Sequence, residues 1–511
     1  MLRGILTIGG WTMASRVLGF VRDIVIATLL GTGAVADAAL VAMRLPNFFR
    51  RLFGEGAFNA AFVPGFTALE TTEGREASSR FAAEAASALA LLLLALTVLS
   101  EIYMPFVAGL LAPGFVGDPA KFALVVALCR ISFPYMPLIC LAALVSGALN
   151  GLHRFAAAAA APVVFNIVTI AAMLLLRGRF PTEGHALSVG ITVSGVVQLA
   201  MLGWAAHRAG LSLIPRLPRP TPAMRLLLRR LGPALLGAGV TQINFFVDTI
   251  VASLLPAGTV SVLYYADRVA QLPLGTIGVA VGTALLPTLS RLVHAGDAAG
   301  ARDRLNRALE FGLFLTLPAT LGLGVISLPI VTVLFHHGAM TEHATRLTAT
   351  ALVAYATGLP AYVAVRVLTP GFYAAGDTAT PMRIGVVTVA LNVGLNFAFM
   401  GPFGHLGPPL ASATAAWANT AMLWVLLARN GALVPDALLR RRAAGMFAAG
   451  LAMVVVVLLA VPYLYRPFAG AHVGWLGLGL LIGLGAATYL LAAHLLGASD
   501  LGTLRRRLAR G

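Results

Sequence analysis

Arginines and carboxylates set inside long apolar runs are the residues of this sequence best placed to do chemistry. "SRVLGFVRD" (15–23) puts Arg16, Arg22 and Asp23 into an apolar run from Met1 to about Leu30. "ADAALVAMRLPNFFRRLFGEGAF" (36–58) adds Asp37, Arg44, Arg50, Arg51 and Glu55, and "YYADR" (264–268) adds Asp267 and Arg268. A charge at mid-membrane depth costs roughly 2.5–3.5 kcal/mol even on the mildest scale, so each of these needs a reason. Guanidinium is suited to bidentate capture of phosphate or pyrophosphate. Arginine outnumbers acid here, so a cavity lined by these groups is net cationic. Two plainer readings stand beside that one. Arg50 and Arg51 can snorkel to headgroups from a helix end, and Arg16, Arg22 and Arg44 can be held in buried structural ion pairs.

At about 100° per residue, Asp37, Arg44, Arg51 and Glu55 fall within roughly 40° of one helix face. Arg51 and Glu55 are spaced to pair at i,i+4, and Pro46 predicts a bend between Arg44 and Arg50. In the first helix Arg16 and Asp23 share a face, with Arg22 about 120° round. Asp248, Asp377 and Asn392 form a candidate site for a coupling cation; as the alternative, Asp248 is a paired structural charge and Asp377 a residue of the "GDTATP" turn. "FHHGAMTEH" (335–343) is the only stretch resembling a metal-ligand set, and it reads better as a solvated turn. No metal-binding acid cluster or nucleophile with its base is apparent, so no enzyme, metal or cofactor is expected.

The elements that hold these charges are membrane helices. The chain has 511 residues, 59% hydrophobic and 11% charged, with a mean hydropathy of +0.89, whereas a soluble domain is nearer a quarter charged. Apolar runs long enough to cross a roughly 30 Å hydrocarbon core recur throughout, and they lack the alternation of a β-barrel. Fourteen spans are expected, near 2–30, 35–66, 80–112, 121–150, 156–176, 186–206, 226–255, 260–290, 304–335, 345–374, 381–401, 407–428, 443–465 and 473–497. The first reads as a span rather than a cleavable leader.

Of the 36 Lys and Arg, eight fall inside spans, 23 on the side of the termini and five on the other side (Lys121, Arg177, Arg179, Arg346, Arg466). That asymmetry places both termini in the cytoplasm. It also accounts for much of the net charge of +17 without nucleic acid, against anionic headgroups. Cys129 and Cys140 sit roughly 16 Å apart along one helix, too far for a disulfide.

The chain also repeats itself. "DIVIATLLGTGAVADAALVAMRLP" (23–46) matches "DTIVASLLPAGTVSVLYYADRVAQLP" (248–273), and Asn166 matches Asn392 at a nearly constant offset of about 225 residues. The expected architecture is all-α: an N-lobe over 1–208, a cytoplasmic connector over 209–225, a C-lobe over 226–430, and two further helices with a basic tail over 431–511. Paired lobes of this kind place a substrate site between them and work by rocking.

"SRVLGFVRD", "ADAALVAMRLPNFFRRLFGEGAFNAAFVP", "YYADR" and "LTPGFYAAGDTATP" resemble the MurJ/MviN family of lipid II flippases, within the multidrug/oligosaccharidyl-lipid/polysaccharide exporter group. The resemblance runs over nearly the whole chain. It implies two six-helix lobes plus two helices bordering a groove for a polyprenyl tail, in the bacterial inner membrane. It implies movement of undecaprenyl-pyrophosphoryl disaccharide-pentapeptide to the periplasmic leaflet for peptidoglycan synthesis. Carried over by motif, Arg16, Arg22, Arg50 and Arg268 are the substrate-cavity arginines and Arg44 a further cationic position. Asp23, Asp37, Arg51 and Glu55 form a charge network or gate. Gln271 stands where some members carry an acid. Membrane lipids and other cell-wall synthesis proteins are the remaining expected partners, with the membrane potential or a monovalent cation as driving force. The alternatives are a flippase for another polyprenyl-linked glycan and a multidrug antiporter of the same fold.

Overall fold

The computed structural model describes residues 2–51, 58–468 and 473–498. Glu55 and the basic residues Arg505–Arg507 lie outside them. Every regular element among the described residues is helical. Helices α1 (Leu2–Leu30), α2 (Ala34–Phe49) and α3 (Phe58–Thr72) are followed by α4 (Arg75–Ile102) and the short α5 (Met104–Leu111). A 3-10 turn (Pro113–Phe115) leads to α6 (Pro119–Ser132), α7 (Tyr135–Gly151), α8 (Phe155–Leu175) and α9 (Glu183–Arg208). After a non-helical stretch come α10 (Pro222–Leu254), α11 (Thr259–His294), α12 (Ala298–Val325), the short α13 (Ser327–Phe335), α14 (Glu342–Ala356) and α15 (Leu359–Ala374). The chain continues through α16 (Ala379–Phe403), α17 (Gly407–Arg429), α18 (Ala437–Leu464) and α19 (Gly474–Leu495).

Four expected spans are therefore broken into two helices each. α4 and α5 divide the expected 80–112, α6 and α7 divide 121–150, and α12 to α15 divide 304–335 and 345–374 in the same order. Pro134 opens α7 and Pro360 sits in the first turn of α15. Proline suits a first turn and has no N–H to bond back to the preceding helix, which favours a break at these positions in an apolar run.

Nine segments among the described residues are long and apolar enough to cross a membrane. The chain is a multi-pass helical membrane protein. α1, α2, α10 and α11 are not among the nine; they hold Arg16, Arg22, Asp23, Asp37, Arg44, Asp248 and Arg268.

The chain forms two compact units, residues 1–261 with 338–340, and residues 262–337 with 341–511. α10 thus lies with the first unit, where it packs on α3 and on the 3-10 turn. In that unit Pro46 stays inside α2. Its missing N–H leaves the Ala42 carbonyl without the usual i+4 donor, and the buried Ser132 hydroxyl donates to that carbonyl at 3.0 Å. One residue on, the Asn47 side-chain amide donates to the Met43 carbonyl at 2.8 Å. Phe62 stacks with Phe58 and Phe81 and tilts against Phe66.

In the second unit α12 and α15 pack closely, and α18 lies on α12. α18 is fastened at its N-terminal end. Arg307 donates to both Glu310 and Asp436, and Arg442 donates to Glu310. The Asn306 amide holds the Val434 carbonyl at 2.9 Å. Burial acts to raise the Asp436 carboxyl. The Leu439 N–H, the Arg307 hydrogen bond and the nearby Arg307 and Arg442 charges outweigh it and hold the group below its ordinary value. A carboxylate with a depressed folded pKa adds stability above its unfolded pKa and loses it as pH falls through the folded one. The unit is therefore expected to lose melting temperature on acidification below about pH 4. Asp436→Asn should flatten that part of the profile in detergent-solubilised protein, and an unchanged profile would dismiss the tether.

Candidate functional site

Arg22 and Asp23 are nearly fully buried, 8% and 2% exposed. They meet directly, with Arg22 Nη2 and Nε donating to Asp23 Oδ1 at 2.8 and 3.2 Å. Arg22 Nη1 also donates to Asn166 Oδ1 on α8 at 3.1 Å. The Asn166 amide in turn donates to the Ser15 carbonyl at 3.1 Å, and the Arg22 guanidinium lies 5.3 Å from the Phe165 ring centroid. Helical wheel angles put the two α1 charges on different faces. The long arginine side chain wraps round the helix to its neighbour, which the wheel does not represent. Gly19 faces Asn166, where a Cβ would sit 3.5 Å from the amide nitrogen, so this crossing is kept close.

The other sequence-picked arginines of the first unit have different surroundings. Arg16 is exposed. Arg44 is half-buried and donates to Thr249 Oγ1 on α10 at 2.8 Å, beside the half-buried Asp248. Arg50 is half-buried and donates to Asn47 Oδ1 at 3.1 Å, while Arg51 is exposed. The pairing expected between Arg51 and Glu55 falls outside the described residues. Arg22 and Asp23 offset one another, and Arg16, Arg44 and Arg50 are the further arginines of this part of the chain.

Asp37 stands apart from those arginines, 1% exposed at the head of α2. Its Oδ2 accepts from Lys121 Nζ at 2.8 Å and from the Gly258 N–H at 2.7 Å. Its Oδ1 accepts from the Ser261 N–H and hydroxyl, both at 2.9 Å. Lys121, read from sequence as a loop residue, lies in the first turn of α6 and is 6% exposed, its ammonium 3.7 Å from the Phe115 ring centroid. The Asp118-Pro119 pair was the available signal, since Asp118 caps α6 by accepting the Lys121 N–H at 3.1 Å. Ser261 had no comparable signal. In the same unit, the Ala339 N–H donates to the Thr28 carbonyl at 2.9 Å. Gly338 there has φ +59, and a Cβ would lie 2.3 Å from that carbonyl oxygen.

In the second unit the Arg268 guanidinium lies 4.8 Å from the Tyr264 ring centroid, and Gln271 donates to Asp267. Asn392 donates to Ser412 Oγ at 3.3 Å, and Asn396 donates to the Asn392 carbonyl at 3.0 Å. Asp377 accepts the Thr380 N–H at 2.9 Å, and that bond, first among several, holds its carboxyl below the ordinary range. Asp377 lies about 22 Å of helix rise from Asn392, so the structure does not bring those two together. Asp248 belongs to the first unit. Two of the three histidines of 335–343 have local partners: His336 bonds Thr345 Oγ1 at 2.9 Å and His337 the Val333 carbonyl at 3.0 Å.

The family described as lipid II flippase MurJ matches residues 26–485. The chain belongs to the MurJ family. Its relatives include the probable lipid II flippase MurJ of Rhizobium tropici, 41% identical over 100% of this chain and 97% of the relative. The counterpart in Rhizobium meliloti is also 41% identical, over 99% and 96%. A solved lipid II flippase MurJ in an inward closed conformation matches 96% of this chain and 98% of its own length, with a TM-score of 0.80 at 25% identity. An inward-facing multidrug resistance MATE transporter shares the fold alone, with a TM-score of 0.65 at 16% identity over 82% of this chain and 95% of its own. In this MurJ family member, Asn166, Lys121, Thr249 and Ser261 are partners of the candidate charges that the sequence did not reveal. Asn166 was visible only as a repeat partner of Asn392, without the arginine that the fold delivers to it.

Proposed function

We propose that this chain is a lipid II flippase. It carries undecaprenyl-pyrophosphoryl disaccharide-pentapeptide from the cytoplasmic to the periplasmic leaflet of a bacterial inner membrane by alternating access, with both termini in the cytoplasm. No bond is made or broken. The observation that carries the reading is the set of arginines on α1 and α2 in a chain of this family, with Arg22 fixed by Asp23 and Asn166 beside them. Along this stretch arginine outnumbers acid, Arg16, Arg22, Arg44 and Arg50 against Asp23 and Asp37, the balance that capture of a pyrophosphate calls for. The family resemblance gives Arg268 on α11 the same role. A site for organic cations calls for the opposite balance, an excess of acid, which favours the flippase over a drug antiporter on the shared fold. The membrane potential, worth about 2.3 kcal/mol per charge per 100 mV, favours export of an anion when the inside is negative. A monovalent cation is the alternative coupling.

The test is an in-cell flipping assay with the resident flippase depleted and this chain supplied, reading exposure of lipid-linked precursor to a periplasmic probe. The chain should restore exposure, and Arg268→Ala should lower it at least about tenfold at equal membrane level, the loss of one charge-assisted contact. Failure of the unaltered chain to restore exposure would move another lipid-linked glycan ahead.

A further inference from the structure

We propose that the segment joining α9 to α10, residues 211–221, is a strap seated on the membrane surface that binds the phosphates of anionic phospholipid headgroups. It does so with its own Arg216 and Arg219 and with Arg225 in the adjoining first turn of α10, while Ile214 and Leu217 enter the acyl boundary. The strap is not helical. Pro215, Pro218, Pro220 and Pro222 restrict its backbone before any lipid arrives, so little further ordering is needed on binding.

Its depth follows from two anchors. The Arg216 N–H donates to Ser87 Oγ at 3.0 Å. Ser87 lies on α4 just beyond Arg75, Glu76, Arg80 and Glu84, where an uncharged run begins that lasts to Glu101. At 1.5 Å per residue α4 is about 42 Å long, more than a roughly 30 Å hydrocarbon core. Its charged first turns therefore project past the core, and Ser87 marks the boundary. The second anchor is Trp204 in the last turns of α9. It is 57% exposed, with the Arg208 guanidinium 4.1 Å from its ring centroid. An exposed tryptophan under an arginine is suited to the headgroup level.

At that level the strap shows the outside a mixed apolar and cationic surface. Leu211, Met224 and Leu227 are buried and hold it to the protein, while Ile214 and Leu217 are 67% and 83% exposed. Arg216, Arg219, Arg225, Arg229 and Arg230 are all exposed. No acidic residue occurs between Glu183 and Asp248, so nothing in the segment cancels them. Two isolated apolar side chains among uncancelled arginines complement a lipid surface, where tails take the first and phosphates the second. A soluble partner would leave those needs to separate surfaces. The seat lies in the leaflet facing the basic loops, and it does not depend on which lipid the protein carries.

Cys129 and Cys140 are both buried, so a single thiol-directed fluorophore can be placed by Leu217→Cys in the full chain. The labelled protein is reconstituted into nanodiscs of phosphatidylcholine alone, or of phosphatidylcholine with a minority of phosphatidylglycerol. Emission and quenching by lipids spin-labelled near the top of the acyl chain are then read. With phosphatidylglycerol present, the fluorophore should shift to the blue and be quenched. Changing Arg216, Arg219 and Arg225 together to Gln should lower the phosphatidylglycerol preference at least about fivefold, and Lys at all three should retain it. Water-like emission in both membranes would overturn the seat and leave the strap open to a protein partner. Equal quenching in both membranes, or an unaltered preference in the Gln variant, would overturn the recognition of anionic headgroups. Flipping is not needed for the readout, so this result and that of the flipping assay can fail separately.

Discussion

Arg22→Ala is expected to destabilise the first unit by about 3–5 kcal/mol, the usual consequence of stranding one member of a buried ion pair. Asp23, 2% exposed, would lose the guanidinium that donates to it at 2.8 Å, and Asn166 Oδ1 would lose the one that now reaches it at 3.1 Å. Adding Asp23→Ala removes the stranded charge, so the double variant should regain a large part of the loss in a thermal unfolding series. Arg16→Ala makes the contrast. Arg16 is exposed, so its loss should leave the melting temperature within the small range of surface changes and fall instead on transport. If Arg22→Ala melts like the unaltered protein, the pair contributes no net stability. If the double variant melts normally and also flips normally, Arg22 and Asp23 form a structural unit with no part in moving substrate. Normal melting without flipping would give Arg22 a role beyond holding Asp23.

Much of this arrangement was legible in the sequence, for reasons that differ by residue. The helical membrane class follows from apolar length alone, and the charges on α1 and α2 stand out because water is the only cheap solvent for them. The breaks within expected spans were less visible, since a hydropathy run continues across Phe133-Pro134 while the backbone hydrogen-bond ladder does not. Partners distant in sequence were hidden altogether. Arg22 meets Asn166, Arg44 meets Thr249, and Asp37 meets Ser261, and periodicity reports only which face a residue occupies. The predicted stripe of Asp37 and Arg44 shows the limit. Both lie on α2, yet one ties to α6 and the start of α11 and the other to α10, because a helix of that length meets different neighbours at its two ends.

Asp37→Leu is expected to be the most damaging single change at the head of α2, and Lys121→Met a milder one, although the two residues form one ion pair. The difference lies in what each leaves behind. Without Asp37, the Lys121 ammonium stays 6% exposed and keeps, among the described residues, the Phe115 ring face 3.7 Å away. The Gly258 and Ser261 N–H groups of the α11 entry also lose their acceptor. A loss of about 3–5 kcal/mol follows. Without Lys121, the Asp37 carboxylate still accepts from Gly258 N–H, Ser261 N–H and Ser261 Oγ. It also faces the positive end of α11, whose first turn supplies those donors. The loss is then nearer about 1.5–3 kcal/mol, that of a single charge-assisted hydrogen bond. Amide hydrogen exchange over residues 258–261 separates the cases. It should accelerate strongly in Asp37→Leu and little in Lys121→Met. Asp37→Asn should fall between them, since it keeps an acceptor but not the charge. Equal acceleration in Asp37→Leu and Lys121→Met would mean that the ion pair, not the helix entry, holds Asp37 in place.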